Sequence, residues 1–448
     1  MKPQNDRWPL IALTLLSTFA FFRSINEFPL RNWDEAWYAE ISKNMATNNT
    51  GLLMPFWNGK YYFDKPPMYF WLSYPIFKIF GPGEWQARAV SATAAVLTVL
   101  MIFIIGKKLF NYKIGLVAAV IFLTLGQVVE RFSHGNLDAL VTLFSILSFY
   151  FYIASKSNKS RVLSGIFLGS TVLTKGIVFG FYPLIWILIY EYLLGKRRVK
   201  SVVLVVLVSL TVSLWWYIYG ILKFGKEFIS SFILDPFAGN LSWKNPKVDF
   251  TLFKVLIRDV GFWLAPVALC LFKNFKNKLL WFLMLSVLVL SFPLNLLADK
   301  LGWFLLPVYP FVSLVIGYSI LNFGKKYIFL LLLLIILQFN HVKRIELELP
   351  DRSLIGAKLG MFTKMNFNPE TKLVLDSPDF PSFIYYSGLD EVTVTIQNGG
   401  KANEWWIVSH DDISEFKDYI IITKDPQKFN KDMQTITTAP YGYKLLKL

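Results

Sequence analysis

Cysteine and histidine are nearly absent from this sequence. The single cysteine, Cys270, lies in an apolar segment, which excludes an intramolecular disulfide and a metal site with several cysteine ligands. Only three histidines are present, and an isolated histidine is seldom a metal ligand. The sequence also lacks internal repeats, a glycine loop that would cradle a phosphate, and a Ser/His/Asp arrangement. Disulfide scaffolds, cysteine-rich metal proteins and catalytic-triad hydrolases are therefore excluded.

Charged residues are also scarce, and this shortage indicates a membrane protein. They make up 17% of the 448 residues, whereas hydrophobic residues make up 54%. The net charge of +16 comes from short basic clusters between apolar segments, where the signals that set membrane topology lie. We therefore predict a polytopic α-helical membrane protein without a nucleic-acid partner.

Apolar segments of about 20 residues predict about eleven transmembrane helices. If the N-terminus is cytoplasmic, every short inner connection is basic, as the positive-inside rule requires. No small-residue cleavage site follows the first apolar segment, so we predict that it stays as an uncleaved helix. The predicted spans are residues 8–26, 85–106, 114–130, 137–155, 161–174, 176–194, 200–220, 252–272, 279–297, 303–322 and 326–340.

The predicted first outer loop, residues 27–84, carries the densest set of polar groups. Trp33, Trp37, Ile41 and Met45 recur every four residues, which predicts an amphipathic helix lying at the membrane surface. Asp34 lies in the first turn of this helix, where a carboxylate commonly serves only as a cap. The chain should then turn at Asn58-Gly59, pass Asp64-Lys65, and form a second interfacial helix over Met68–Phe80.

Charged residues at the predicted outer ends of later spans are candidate site residues. Residues 161–194 extend only ~51 Å as helix, less than the ~60 Å of two full crossings. Lys175 at the apex of this short hairpin should therefore face a polar cavity, although a lysine that snorkels to the surface is the alternative. Asp138 either caps a helix or lines the same cavity. Arg258 and Asp259 are expected to pair with each other, and a phosphate contact from Arg258 is the alternative.

Residues 341–448 are polar and predict a small mixed α/β domain. An amphipathic stretch covers Ser353–Met365. Strand-like runs separated by Asp, Asn, Gly and Pro cover Lys372–Leu375, Glu391–Ile396, Trp405–Val408, Tyr419–Thr423 and Tyr443–Leu446. We place the boundary with the transmembrane domain, residues 1–340, at about His341, and the smaller domain on the outer side of the membrane.

Two motifs in the first outer loop resemble those of a known enzyme family. They are Asp34-Glu35-x-x-Tyr38-Ala-Glu-Ile and Tyr62-Phe-Asp64-Lys65-Pro-Pro. Both resemble the first extracytoplasmic loop of membrane glycosyltransferases that use polyprenyl-phosphate sugars, such as lipid A aminoarabinose transferases and protein O-mannosyltransferase-like enzymes. The segment from Lys300 to Pro307 is similar to the family's Lys-Leu-Pro-x-Tyr-x-Leu-Pro, but Trp303 stands where the family usually has tyrosine, so the hydroxyl is missing.

The resemblance implies a GT-C fold and transfer of a hexose or pentose from a polyprenyl-phosphate donor to a lipid, glycan or protein acceptor at the outer face of the cell membrane. It implies a catalytic base at Asp34, with Asp138 as a second acidic contact, and inversion at the anomeric carbon. Donor-phosphate contacts are then expected from Lys65, Lys175, Arg258 and Lys300, and substrate-loop roles from Glu35, Tyr38 and Asp64.

Several alternatives stay open at the level of sequence. No cofactor is required, but a divalent metal ion held by Asp34, Asp64 or His134 is one hypothesis. Charged residues inside a membrane also mark transporters and flippases, although no repeat relates the two halves of this chain. An oligosaccharide transferase or a lipid-linked O-antigen ligase of the same fold is a further alternative. We expect residues 221–251 to select the acceptor.

Overall fold

The computed structural model describes two compact units of the chain. The described residues are 6–48, 51–195, 197–234, 249–274, 276–295, 300–322, 336, 353–377, 380–394, 419–424, 426 and 434–447. The first unit comprises Met1–Ile25, Phe63–Leu72 and Arg88–Leu349, and the second comprises Asn26–Tyr62, Ser73–Ala87 and Pro350–Leu448. The helices Met68–Phe80 and Glu84–Leu109 contribute residues to both units.

The first unit is helical. Besides its share of those two helices, it contains Arg7–Phe22, Tyr112–Phe122, Gly126–Phe132, Leu137–Ala154, Asn158–Lys175, Ile177–Leu193, Val199–Phe224, Lys226–Phe228, a π-helical turn at Ile229–Leu234, Thr251–Val260, Leu264–Lys273, Lys278–Leu294 and Tyr309–Leu321. Short 3₁₀ turns at Gly261–Trp263 and Gly302–Val308 lead into the helices that follow them.

Length and composition mark several of these helices as membrane spans. Glu84–Leu109, Leu137–Ala154, Val199–Phe224, Thr251–Lys273 and Gly302–Leu321 are long and apolar enough to cross a bilayer. The pair Tyr112–Phe122 and Gly126–Phe132, bent by 66°, would make a sixth span. Three shorter apolar helices match further predicted spans, whereas residues 326–340 lie almost entirely outside the described residues. The prediction of a multi-pass helical membrane protein is confirmed, and the number eleven stays a prediction.

Close helix packing fixes the two elements that carry Asp138 and Lys175. The Asn158–Lys175 helix approaches Val199–Phe224 so closely that a Cβ atom added at Gly169 would lie 2.8 Å from the Ser209 carbonyl oxygen. Such contacts between small residues are typical of membrane helices. On its other side, the Ser148 and Ser164 hydroxyls each donate to the other residue's carbonyl oxygen, at 2.9 and 2.8 Å. The helix bearing Asp138 is thereby joined to the helix bearing Lys175.

The second unit combines the first predicted outer loop with the C-terminal residues. From the loop come the helix Asp34–Thr47 and the hairpin of β1, Phe56–Trp57, and β2, Lys60–Tyr61. The C-terminal residues supply the helices Ser353–Asn366 and Phe380–Ser387 and a five-stranded sheet in the order β4-β3-β5-β7-β6. Its strands are β3 Leu373–Leu375, β4 Val392–Val394, β5 Ile420–Thr423, β6 Gln434–Thr438 and β7 Lys444–Lys447, with β4, β3 and β5 parallel and the other pairs antiparallel.

An asparagine joins the loop to this sheet. Asn58, in the β1–β2 turn, donates from Nδ2 to the Val392 carbonyl oxygen and accepts from the Val392 N–H at Oδ1, both at 2.8 Å. The side-chain amide therefore pairs with edge strand β4 much as a backbone peptide would. This grouping differs from the predicted division at residue 340, because contacts between distant parts of the chain, which local composition does not report, hold the loop to the C-terminal residues.

The helix Asp34–Thr47 is also more enclosed than predicted. Ile41 and Met45 are buried, but so are Glu35 and Glu40 on other faces of the helix. Its apolar neighbours include Phe77 and Tyr385 in one buried cluster. Protein side chains of the same unit therefore cover much of this helix, and its position at the membrane surface stays a prediction. Predicted strand Trp405–Val408 lies outside the described residues.

Candidate active site

Asp138 and Lys175 form a buried ion pair in the first unit. Asp138 is the second residue of the Leu137–Ala154 helix, which Asn136 caps by accepting the Ala139 N–H at 3.0 Å. Lys175 ends its own helix immediately before Gly176, whose φ of +104° turns the chain. The Lys175 Nζ lies 2.5 Å from Asp138 Oδ1, and the two side chains are 7% and 4% exposed. Lys175 is thus buried against Asp138, so the snorkelling alternative does not apply, and the polar cavity expected around Lys175 stays a prediction.

Aromatic rings enclose the ammonium group of Lys175. Its Nζ lies 4.5 Å from the centre of the Phe179 ring and 4.9 Å from that of Phe304. The placement of Trp303 at the tyrosine of the family pattern is off by one residue, because counting from Lys300 puts Phe304 there, so an aromatic ring without the hydroxyl stands at this position. The rings lower the local dielectric and strengthen the attraction between Lys175 and Asp138.

Sequence reasoning missed a second cation near the same segment. The guanidinium carbon of Arg131 lies 3.7 Å from the centre of the Trp303 ring, and its Nε is 3.8 Å from Glu130 Oε1. The Arg131 carbonyl oxygen accepts a hydrogen bond from Asn136, which caps the helix carrying Asp138. The available signal was a charged pair just before the Asp138 motif in an otherwise apolar stretch.

Lys300 is held by a carboxylate. Its Nζ lies 3.2 Å from Asp249 Oδ2, and its side chain is 9% exposed. The Asp249 carboxylate also accepts the Thr251 N–H at 3.0 Å. The hydrogen bonds from Thr251, together with Lys300, lower the pKa of Asp249 to about 2. Asp249 therefore stays ionised throughout the physiological range.

Arg258 and Asp259 lie in different environments, since the Arg258 side chain is half exposed and the Asp259 side chain is buried. Their side chains approach only to 3.9 Å between Nε and Oδ1, and Arg258 is 50% exposed whereas Asp259 is 1% exposed. The Tyr309 hydroxyl donates a short hydrogen bond to Asp259 Oδ2. The expected pairing is present but loose, since Asp259 is anchored by Tyr309 and the guanidinium reaches outward.

Asp64 and Lys65 also belong to the first unit and pair with each other. Lys65 Nζ lies 2.5 Å from Asp64 Oδ2, and the side chains are 21% and 49% exposed, respectively. The preceding residue, Phe63, is buried against Phe224 and Phe228 at ring-centre distances of 5.0 and 5.6 Å. The ion pair is therefore presented at an accessible position by an anchored backbone.

Asp34 belongs to the second unit and is the first residue of its helix. Trp33 occupies the cap position without a capping side-chain hydrogen bond, and Asp34 is partly exposed. The Tyr38 hydroxyl donates to Asp34 Oδ1 at 3.5 Å, the limit for a hydrogen bond. The helix N-terminus favours a negative charge there. The Asp34 carboxylate therefore lies at a partly exposed helix N-terminus, with the Tyr38 hydroxyl as a hydrogen-bond donor.

The neighbouring acidic residues of this helix have local partners. The buried Glu35 accepts the Arg31 N–H at 2.6 Å, which resembles a cap for the start of the helix. Glu40 lies 2.6 Å from the Lys43 ammonium. Burial raises the pKa of Glu40 above its ordinary value, while Lys43 opposes this shift.

The described residues do not form a recognisable set of metal ligands. Within them, no group of three or more His, Cys, Asp or Glu side chains is arranged to hold an ion. The His134 ring contacts the Glu130 carbonyl oxygen through Nδ1 at 2.5 Å. A metal ion at Asp34, Asp64 or His134 stays a hypothesis.

Comparison with known proteins identifies the family. Residues 64–216 match the model for dolichyl-phosphate-mannose-protein mannosyltransferases. An uncharacterized protein of Aquifex aeolicus is 31% identical over 295 residues, which cover 64% of this chain and 68% of that protein. An undecaprenyl phosphate-alpha-4-amino-4-deoxy-L-arabinose arabinosyl transferase of Aeromonas hydrophila is 31% identical over 200 residues, 43% of this chain but only 36% of the transferase.

The fold agrees with these similarities. The crystal structure of ArnT from Cupriavidus metallidurans bound to undecaprenyl phosphate superposes with a TM-score of 0.78 at 16% identity, over 98% of both chains. Because the matched proteins of stated activity are glycosyltransferases, the alternative of a transporter or flippase is not favoured. The chain belongs to the family of membrane glycosyltransferases with a GT-C fold that use polyprenyl-phosphate sugars.

Proposed function

We propose that this protein transfers a monosaccharide from a polyprenyl-phosphate donor to an acceptor hydroxyl or amine, with Asp34 as the general base. The observation that carries the proposal is the position of Asp34, a partly exposed carboxylate at a helix N-terminus with one long hydrogen bond from Tyr38. The undecaprenyl phosphate bound to ArnT from Cupriavidus metallidurans supports this class of donor.

The reaction needs few groups, because the sugar is already activated. The acceptor's oxygen or nitrogen forms a bond to the anomeric carbon, while the bond between that carbon and the phosphate oxygen breaks. The electron pair leaves with the polyprenyl phosphate, and Asp34 receives the acceptor's proton. Attack from the side opposite to the phosphate inverts the anomeric configuration.

Three cationic side chains of the first unit, Lys65, Arg258 and Lys175, are proposed to stabilise the charge on the departing phosphate. Lys65 is partly exposed, and its ammonium has three donors, so it can bind a phosphate while it keeps its contact with Asp64. The exposed guanidinium of Arg258 is a second candidate. Asp138 would act by holding Lys175 in place, because that ion pair is buried. Such preorganised contacts typically contribute on the order of 10²–10³ in rate.

We also propose that the reaction occurs on the outer face of the membrane. Eleven spans with a cytoplasmic N-terminus would leave every inner connection basic and would place the C-terminal α/β domain and Asp34 on the outer side. We propose acceptor selection by residues 221–251, of which 235–248 lie outside the described residues.

The first experiment is a donor panel with detergent-purified protein. Wild type is incubated with several polyprenyl-phosphate monosaccharides and native membrane extract as acceptor, beside Asp34→Asn and the control Asp390→Asn, an exposed carboxylate of the second unit. One donor should be consumed by wild type and by the control, and Asp34→Asn should be slower by at least about 10². A fully active Asp34→Asn overturns the base assignment, and no consumption of any donor by wild type overturns the reaction.

A further inference from the structure

The turn that leads into Asp34 adopts an unfavourable backbone conformation. Trp33 has φ 68° and ψ −126°, although it is not glycine. Residues with a side chain rarely adopt such angles, and they keep them only where the surrounding structure enforces them. Local contacts supply part of this constraint, because the Arg31 carbonyl oxygen accepts the Ala36 N–H at 3.1 Å and Arg31 N–H binds Glu35.

The remaining constraint comes from the C-terminal helix Phe380–Ser387, more than 300 residues later. The Ser382 N–H donates to Asn32 Oδ1 at 3.2 Å. The ring of Phe380, itself fully buried, packs edge-on against the Trp33 ring with centres 5.2 Å apart. These two contacts hold Asn32 and Trp33, the two residues that directly precede Asp34.

Tyr386, on the same helix, constrains Leu30 at the beginning of the turn. Its hydroxyl accepts the Leu30 N–H at 2.9 Å and donates to Glu84 Oε1 at 2.7 Å. The Glu84 carboxylate thus orients the hydroxyl so that its lone pair faces Leu30. Burial raises the pKa of Tyr386, which keeps the hydroxyl protonated and able to donate.

From these contacts we infer that the helix Phe380–Ser387 is a positioning element for the Asp34 carboxylate. It holds Leu30, Asn32 and Trp33 through three separate groups, and the strained Trp33 backbone would relax without them. The inference rests on the proposed role of Asp34 as the base. It assigns to the C-terminal residues a part in catalysis that involves no contact with substrate.

The neighbouring tyrosine on the same helix offers a matched test. Tyr385 is also buried, but its hydroxyl has no hydrogen-bond partner among the described residues. Tyr386→Phe and Tyr385→Phe therefore remove the same atom from adjacent positions. Tyr386→Phe should lower kcat about 10- to 100-fold, the range expected for a misplaced catalytic group, and leave the Kd for undecaprenyl phosphate unchanged. Tyr385→Phe should leave both constants within about twofold of wild type.

A second pair of variants separates positioning from folding. Phe380 and Phe383 are both fully buried in this helix, so Phe380→Leu and Phe383→Leu should lower the unfolding temperature similarly. Only Phe380→Leu should also lower kcat. An unchanged kcat in Tyr386→Phe, or equal losses of kcat within a matched pair, overturns the inference. If Tyr386→Phe does not fold, the phenylalanine pair decides.

The base assignment is tested separately in the same assay. If Asp34→Asn is fully active, the proposed function fails whatever the tyrosine variants show. If Asp34→Asn is inactive while Tyr386→Phe is fully active, only the positioning role fails.

Discussion

The buried pair of Asp138 and Lys175 allows a quantitative test of whether the site is built for stability or for function. Unit charges 2.5 Å apart attract by about 7 kcal/mol at an effective dielectric constant of about 20, before the cost of desolvation is subtracted. Removing one partner leaves the other charge buried, which typically destabilises a protein by about 3–5 kcal/mol. We therefore expect Lys175→Met to be strongly destabilised, and Asp138→Leu likewise.

The double variant Asp138→Leu/Lys175→Met should regain most of the lost stability. Replacing both charges by apolar side chains of similar volume is often neutral or stabilising. The measurement is thermal unfolding of the purified proteins in one detergent, with donor consumption measured on the folded fraction. A control is Lys107→Met, which breaks an ion pair with Asp6 that is more than one-third exposed and should cost less than about 1 kcal/mol.

Activity should not return with stability. If the double variant is as stable as wild type and at least 10²-fold slower, the ion pair serves the reaction. Full activity of the stable double variant would refute a role in phosphate stabilisation. Single variants as stable as wild type would refute the premise that the two charges are buried together.

Three further predictions concern other contacts. Asn58→Ala should lower the free energy of unfolding by about 1–3 kcal/mol, because the N–H and carbonyl groups of Val392 lose their hydrogen-bond partner. Urea or thermal unfolding measures this loss, and an unchanged unfolding midpoint would contradict it. Arg131→Lys keeps the charge but loses the planar stack on Trp303, so it should cost about 0.5–2 kcal/mol, and a variant as stable as wild type would refute the contribution of the stack. Glu40→Gln should make stability less dependent on pH between neutrality and about pH 4.5, as unfolding midpoints across that range would report.

The sign of the Glu40 effect follows from the direction of its pKa shift. A raised pKa means that the folded state binds this proton more tightly than the unfolded chain does. The resulting stabilisation is complete below the ordinary pKa of 4.5 and is lost as the pH rises through the raised folded-state pKa. Wild type should therefore gain stability on acidification relative to Glu40→Gln, and parallel pH profiles of the two proteins would contradict the burial of this carboxyl group.

Local sequence signals predicted those structural features that neighbouring residues determine, such as turns and the ends of helices. The helix Met68–Phe80 after two prolines, the Asn58-Gly59 turn and the break at Gly176 all lie where the sequence places them. The argument from hairpin length favoured a lysine that does not snorkel to the surface, which agrees with the burial of Lys175, but it did not predict the ion pair with Asp138.

Contacts between distant segments could not be predicted in this way. The stack of Arg131 on Trp303 joins residues 172 positions apart, and no periodicity reports it. The periodic apolar residues of the Asp34–Thr47 helix predicted a buried face, but they did not predict that side chains from the C-terminal residues, such as Tyr385, cover part of this helix. The helix Phe380–Ser387 was not predicted either, although it carries the contacts to Leu30 and Asn32.

The pairing of Asn58 with Val392 has a consequence for the order of biosynthesis. The two residues are separated by 334 positions, and most of the first unit lies between them in the chain. During synthesis, the loop that carries Asp34 therefore emerges hundreds of residues before the strand that completes its unit. Since non-local pairings form late and only after their loop is closed, the nascent chain passes through membrane insertion with this loop incomplete. The Asp34 carboxylate therefore acquires its final surroundings only after the last strands of the second unit have been synthesised.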